Sequence, residues 1–152
     1  MSNKFQLRAA TSADARLIAE FNQAMALETE GRNLDLAIIQ AGVLEVLSQP
    51  RRGFYLLAEH AGAVQGGLMV TFEWSDWRNA DFWWIQSVYV RPQARRQGVF
   101  AALYREIECR ARTAGACGLR LYVENTNSAA MRTYARLGMR DAHYRVMEHS
   151  FE

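Results

Sequence analysis

Nine consecutive residues, Phe82-Trp-Trp-Ile-Gln-Ser-Val-Tyr-Val90, are too apolar on both parities for a strand with one wet face. The run predicts the central strand of a sheet covered on both faces. A chain of 152 residues can build one domain with a sizeable core but not two ordinary ones. We therefore expect a single domain over residues 1–152.

The flanking patterns supply the other layers. Phe5-Gln-Leu-Arg8 alternates like a short strand, and Thr11-Ser12 offers an N-cap ahead of Ala15, Ile18, Ala19 and Met25 at helical spacing. A second helical pattern, Ile38, Ile39, Val43, Leu44 and Leu47, stops before Pro50. Residues 53–60 and 64–74 read as an antiparallel hairpin leading into 82–90. Beyond it come a helix from Gly98 to about Thr113, a strand over 119–123, a helix from Asn127 to about Arg136, and a last strand within 139–149. This order, β-α-α-β-β-β-α-β-α-β, predicts an α/β (α+β) fold with a mixed sheet.

Charge is unevenly spread. The total of 18 basic and 16 acidic residues gives only +2, but residues 1–90 carry 7 basic and 10 acidic side chains, net −3, and 91–152 carry 11 and 6, net +5. The second segment is the better place for an anion. Cys109 and Cys117 lack the spacing of a redox or zinc motif, and His60, His143 and His149 lack metal spacing, so no metal site is expected. The first residues lack the apolar core of a signal peptide, and no apolar run approaches the roughly 18 residues of a membrane span. The expectation is a cytoplasmic protein with reduced thiols and no membrane partner.

Chemistry concentrates where the apolar strand passes through Arg91-Pro-Gln-Ala-Arg-Arg-Gln-Gly98 into a helix. A helix N-terminus presents N–H groups and a positive dipole end, Gly98 lets a ligand approach the backbone, and Arg95 and Arg96 add charge. A phosphate cradle and an ordinary strand-helix connection with solvated arginines both fit this local pattern. Neither G-x-x-x-x-G-K-S/T nor G-x-G-x-x-G is present, which removes the P-loop and dinucleotide-binding readings.

Two motifs resemble those of the GNAT superfamily of acyl-CoA N-acyltransferases. Its R/Q-x-x-G-x-G/A pyrophosphate loop is matched by Arg95 and Gly98 after Val88-Tyr-Val90 and Pro92, with Phe100 at the position of the usual small residue. Its later N-x-x-A-x-x-x-Y-x-x-x-G-F/M pattern is met by Asn127, Ala130, Tyr134, Gly138 and Met139. The likeness covers nearly the whole chain in element order. It implies a mostly antiparallel sheet of six to seven strands flanked by about four helices, and acetyl-CoA or another acyl-CoA as the acyl donor.

The resemblance also implies a site. The strands over 82–90 and 119–124 would splay, often at a bulge, and the pantetheine arm would add to main-chain groups of Val88, Tyr89 and Val90. An N–H near Val88 would serve as oxyanion donor, and Arg95, Arg96, Gln97, Gly98, Val99, Phe100 and Ala101 would hold the pyrophosphate. Asn127, Ala130 and Tyr134 would complete the cofactor residues. Tyr134 matches the family's general acid, set against a helix tyrosine that merely packs. For the base, some relatives carry Glu where this chain has Gln86 or Ser87; Glu73 is the candidate, directly or through water, and Glu124 a weaker one. Glu28, Glu30, Glu73, Trp77 and Gln86 are the expected acceptor residues; the carboxylates and the aromatic ring suit a cationic amine, although helix-end charges and core aromatics account for each of these singly.

The resulting expectation is an N-acetyltransferase acting on a small amine by direct attack on the thioester. Peptide N-termini or protein lysines are the alternative acceptors, and a non-catalytic CoA-binding module is the alternative class. The balanced charge and missing signatures argue against nucleic acid as a partner, and the apolar later strands are compatible with a homodimer.

Overall fold

The computed structural model describes residues 4–152. The apolar run lies in β4 (Ala80–Val90), between β3 (Ala63–Ser75) and β5 (Gly118–Leu121). With β1 (Gln6–Ala9) and β2 (Phe54–His60) they form one sheet of order β1-β2-β3-β4-β5. The first four strands pair antiparallel, and β5 joins β4 in parallel. A parallel neighbour requires a crossover, which α3 (Val99–Thr113) provides. The other helices are α1 (Ala15–Glu30), α2 (Leu36–Ser48) and α4 (Ser128–Arg136).

Alternation of side chains explains why β4 needs cover on both faces. Trp83 packs edge-on against Phe54 and Phe72, each 5.5 Å between ring centroids. On the opposite face, Trp84 stacks on Tyr122 at 4.5 Å. This second face also receives α1 and α2, whose Ile18, Phe21 and Val43 share a core cluster with Tyr55, Leu57 and Tyr89. The α3 side chains Leu103 and Ile107 are fully buried, with Leu56, Leu68 and Val70 of the sheet's first face.

Local chemistry sets the element ends. Gly31, at φ +63°, terminates α1, and the Asp35 carboxylate accepts from Ala37 N at 2.8 Å to start α2. At the start of α1, Arg8 places two 2.8 Å hydrogen bonds on Asp14 and a third, also 2.8 Å, on Glu59. Asp14 additionally accepts from Thr11 N at 2.8 Å, so one buried carboxylate ties β1, β2 and the α1 approach together.

The described residues divide into two compact units, the first reaching Tyr122 and the second running from Val123 to Glu152. In the second unit, α4 ends where Met139 N donates to Tyr134 O at 3.0 Å, with Gly138 at φ +103°. The strand expected within 139–149 is absent. This segment makes no ladder, His143 adopts φ +60° with its N–H bonded to Asp141 Oδ1 at 2.6 Å, and Tyr144, Val146 and Met147 lie exposed. The sheet therefore has five strands among the described residues instead of six to seven. No helix among them is long and apolar enough to cross a membrane.

The Arg8 hydrogen bonds, before any other cause, lower the pKa of Asp14 against the desolvation that would raise it. Its contribution to stability is therefore present above the ordinary carboxylate pKa of about 3.9 and is lost as pH falls through the lower folded value. Asp14→Asn should cost about 1.5–3 kcal/mol at neutral pH, and denaturant titration should show the gap closing below pH about 4. An equal gap at pH 7 and at the acid end would contradict the assignment.

Candidate functional site

The site begins with a mismatch of one residue. In the β3–β4 ladder, Met69 faces Gln86 and Gly67 faces Tyr89, so Ser87 and Val88 of β4 oppose Leu68 alone. This is a β-bulge, and Ser87 absorbs it at φ +51°, a left-handed conformation that costs an L-residue roughly 1–2 kcal/mol. The bulge reverses the parity of β4. Before it, Trp84 and Gln86 point toward the α1–α2 face; after it, Tyr89 does, packing on Phe21 at 4.9 Å.

Pairing of β4 with β5 stops at the bulge. The parallel ladder runs from Phe82 opposite Gly118 to Ile85 opposite Leu121 and goes no further. Backbone groups from Gln86 to Val90 consequently have no ladder on the side away from β3 among the described residues. Arg91 N donates to Gln65 O of β3 at 2.8 Å, and N–H groups alternate sides along a strand, so the N–H groups of Val90 and Val88 face the open edge. Gly66 lets β3 come this close, since a Cβ there would meet Tyr89 O at 2.7 Å.

The chain then turns into the helix. A short helical turn over Pro92–Ala94 buries Ala94, and Arg91 anchors it by donating Nε to Val64 O at 2.7 Å. Arg96 and Gly98 adopt φ of +62° and +85°, and Ala102 N donates to Gly98 O at 3.0 Å as α3 begins. Gly98 brings no side-chain cap, and a Cβ there would meet nothing within 4 Å, which leaves the positive end of a 15-residue helix approachable. Gln97 accepts from Lys4 Nζ at 2.6 Å, and the Phe100 ring lies 6.1 Å from Tyr104 along the helix. Val88 to Ala101 thus form one continuous surface of edge amides, arginines and helix N-terminus, whose donors suit a polyanion attached to a peptide-like arm.

Arg95 links this surface to α1. Its Nε donates to Val90 O at 3.0 Å, its Nη2 to Glu28 Oε2 at 2.7 Å, and its guanidinium lies 5.7 Å from the Tyr89 ring centroid. The structure therefore brings together Glu28 and Arg95, residues expected on the acceptor and cofactor sides.

Of the other expected residues, Gln86 adjoins the bulge, whereas Glu73 and Trp77 lie farther along the sheet. Glu30 lies 3.8 Å from Arg32, with both side chains exposed. Glu73 sits opposite Phe82 and binds Arg120 at 2.7 Å, with Arg120 stacked 3.7 Å over the Phe82 ring. Six residues of strand, about 20 Å at the usual rise, separate Phe82 from Val88. Direct proton abstraction by Glu73 beside Val88 is therefore not supported, and its carboxylate already has a cation. Trp77 is 87% exposed beyond the β3–β4 hairpin, about 30 Å of strand from Val90, so it cannot share one small-amine pocket with Glu28. Gln86 donates to Thr71 Oγ1 at 2.5 Å on the α1–α2 face.

In the second unit, Asn127 Oδ1 accepts from Ala130 N at 3.1 Å, so the Asn and Ala of the later motif form the N-cap of α4. Tyr134 is half-buried, and burial raises its phenol above the ordinary value. Among the described residues, no group of three or more His, Cys, Asp or Glu is arranged to hold a metal ion.

The backbone role of Ser87 and the contacts of Arg91 and Arg120 were not expected from the sequence. The bulge at Ser87 had no local signal, because the run is already apolar on both parities over residues 82–85 and so reports cover on both faces. Arg91 and Arg120 carried no local pattern of their own.

The model of the acetyltransferase (GNAT) family matches residues 16–139. A possible acetyltransferase from Clostridium difficile 630 is 38% identical, with a TM-score of 0.90 and 99% of each chain covered. A ribosomal-protein-alanine N-acetyltransferase from Brucella melitensis biovar Abortus 2308 shares the fold at 16% identity and TM-score 0.78, covering 97% of this chain and 99% of that one. An aminoglycoside acetyltransferase from an uncultured soil metagenomic sample does so at 17% identity and TM-score 0.71, covering 100% and 99%. No curated protein matches significantly.

The bulge supplies a direct test. Ser87→Val places a β-branched side chain at positive φ and should destabilise by about 1–2 kcal/mol, a loss of a few degrees in Tm, whereas Ser87→Gly should melt at or above the wild-type temperature. A Val variant as stable as wild type would mean that this bulge is not held in solution.

Proposed function

Since this chain belongs to the GNAT family of acetyltransferases, we propose that it transfers the acetyl group of acetyl-CoA to a small cationic amine by direct attack on the thioester. The observation that carries the reading is the open edge of β4 running into the uncapped start of α3. We read residues 1–152 as one functional domain, because the family match from 16 to 139 spans both compact units.

The residues present fit a coenzyme A derivative. The N–H groups of Val88 and Val90 are oriented to receive an amide-bearing arm, and the residues from Arg95 to Ala101 supply charge and backbone donors for a pyrophosphate. When bound, acetyl-CoA supplies an activated acyl carbon and a thiolate leaving group. The N–H near Val88 stabilises negative charge developing on the carbonyl oxygen. Attack by the amine forms the C–N bond and breaks the C–S bond, Tyr134 gives its proton to the departing sulfur, and the proton shed by nitrogen leaves through water. The carboxylate of Glu28, on the α1 end near Tyr89, provides the attraction for a cationic acceptor. The fold relatives named for an aminoglycoside and for a ribosomal-protein alanine illustrate that this architecture serves both small-molecule and peptide amines, and the acidic N-terminal segment favours the cationic small molecule here.

Thiol release from acetyl-CoA should exceed background for at least one member of a panel of diamines, amino sugars and peptide N-termini. Tyr134→Phe should lower kcat by about 10²-fold while leaving coenzyme A binding nearly unchanged. Because burial raises the Tyr134 pKa, the acid stays protonated past pH about 10, so a fall in kcat with rising pH belongs above that point and disappears in the Phe variant. Binding of acetyl-CoA without thiol release for every amine would favour a non-catalytic module.

A further inference from the structure

We infer that Glu28 is an internal competitor for the cofactor's phosphates, holding Arg95 until acetyl-CoA binds and only then becoming available to the amine. This rests on the proposed placement of the pyrophosphate at Arg95 to Ala101. The supporting observation is that one guanidinium satisfies three partners from both sides of the site: the Glu28 carboxylate at 2.7 Å, the Val90 carbonyl at 3.0 Å and the face of Tyr89 at 5.7 Å.

Two of these contacts are ones that the donor needs. Val90 O lies on the same side of β4 as Val90 N, facing the open edge, because Arg91 N turns inward to Gln65 O. Arg95 thus covers the last carbonyl to which an amide-bearing arm would pair. The same side chain carries the charge expected to meet a phosphate, and a carboxylate already neutralises it. Cofactor binding exchanges one anion for another at Arg95 and uncovers Val90 O. The displaced Glu28 is left as an unpaired carboxylate at the end of α1, where an ammonium is the natural replacement for the guanidinium. An amine arriving first would have to break the Glu28–Arg95 pair without compensating Arg95, so the arrangement favours donor before acceptor.

The pair is exposed, 44% for Arg95 and 41% for Glu28, so its strength is that of a surface ion pair and the effect on affinity is modest. Glu28→Gln should tighten coenzyme A binding, measured by calorimetry at low ionic strength, by roughly two- to five-fold, and added salt should shrink the gain. The gain should vanish in an Arg95→Gln background, where there is nothing left to release. Arg95→Gln alone should weaken coenzyme A binding. With the amine of the panel that turns over fastest, Glu28→Gln should raise KM, so the two ligands respond with opposite signs. A purely structural pair would weaken both or neither, and that result overturns the inference. If Arg95→Gln weakens coenzyme A binding while Glu28→Gln leaves it unchanged, the competition is refuted and the pyrophosphate placement stands. If Arg95→Gln leaves coenzyme A binding unchanged, the placement itself fails and the inference falls with it.

Discussion

An extra residue in one strand of a paired sheet cannot be absorbed without turning every later side chain over, and the two residues of β4 opposite Leu68 impose that condition here. Before the bulge, β4 is an ordinary interior strand with ladders to β3 and β5; after it, only the β3 ladder continues. The same stretch of strand that turns Tyr89 into the α1–α2 core leaves the outward amides of Val88 and Val90 without a ladder. Core packing and site exposure are two consequences of one backbone irregularity. Its cost, a serine held at positive φ, is offset by burial of Tyr89 on one face and of Val99 at the start of α3.

The electrostatics follow from this arrangement. The end of β4 delivers the chain directly into α3, so arginines, helix N-terminus and open edge occur within about a dozen residues of sequence. The acidic end of α1 meets this basic turn through Glu28 and Arg95. The division of charge between the two parts of the chain, net −3 over 1–90 and +5 over 91–152, is therefore expressed at one contact. Farther down the sheet, Glu73 and Arg120 make a second such pair, where they neutralise each other over Phe82.

Much of the fold was legible because the relevant signals are local. Gly31, Asp35, Pro50 and Gly98 punctuate the helices within a residue or two of where the elements end or begin, and the hairpins follow their alternation. The loop from Arg95 to Ala101 was legible for the same reason. What failed depends on partners distant in sequence. The apolar residues within 139–149 have the composition of a strand, but composition does not supply a neighbour, and these residues form no ladder. Trp77 and Glu28 are both residue types that suit a cation, but strand direction sends them to opposite ends of β4. The Glu28–Arg95 contact spans 67 positions and had no local signature.

The outward amides of Val88 and Val90 have no strand partner in the free protein, and under the proposed function an acyl-CoA would cover them. Amide hydrogen exchange, read residue by residue with and without coenzyme A, tests this most directly. Val88 and Val90 should exchange much faster than Trp83 and Ile85 in the free protein and slow by at least an order of magnitude on saturation, with Tyr89 protected throughout by its β3 pairing. Val88 and Val90 already protected in the free protein, or unprotected by saturating coenzyme A, would rule out this edge as the cofactor's binding surface.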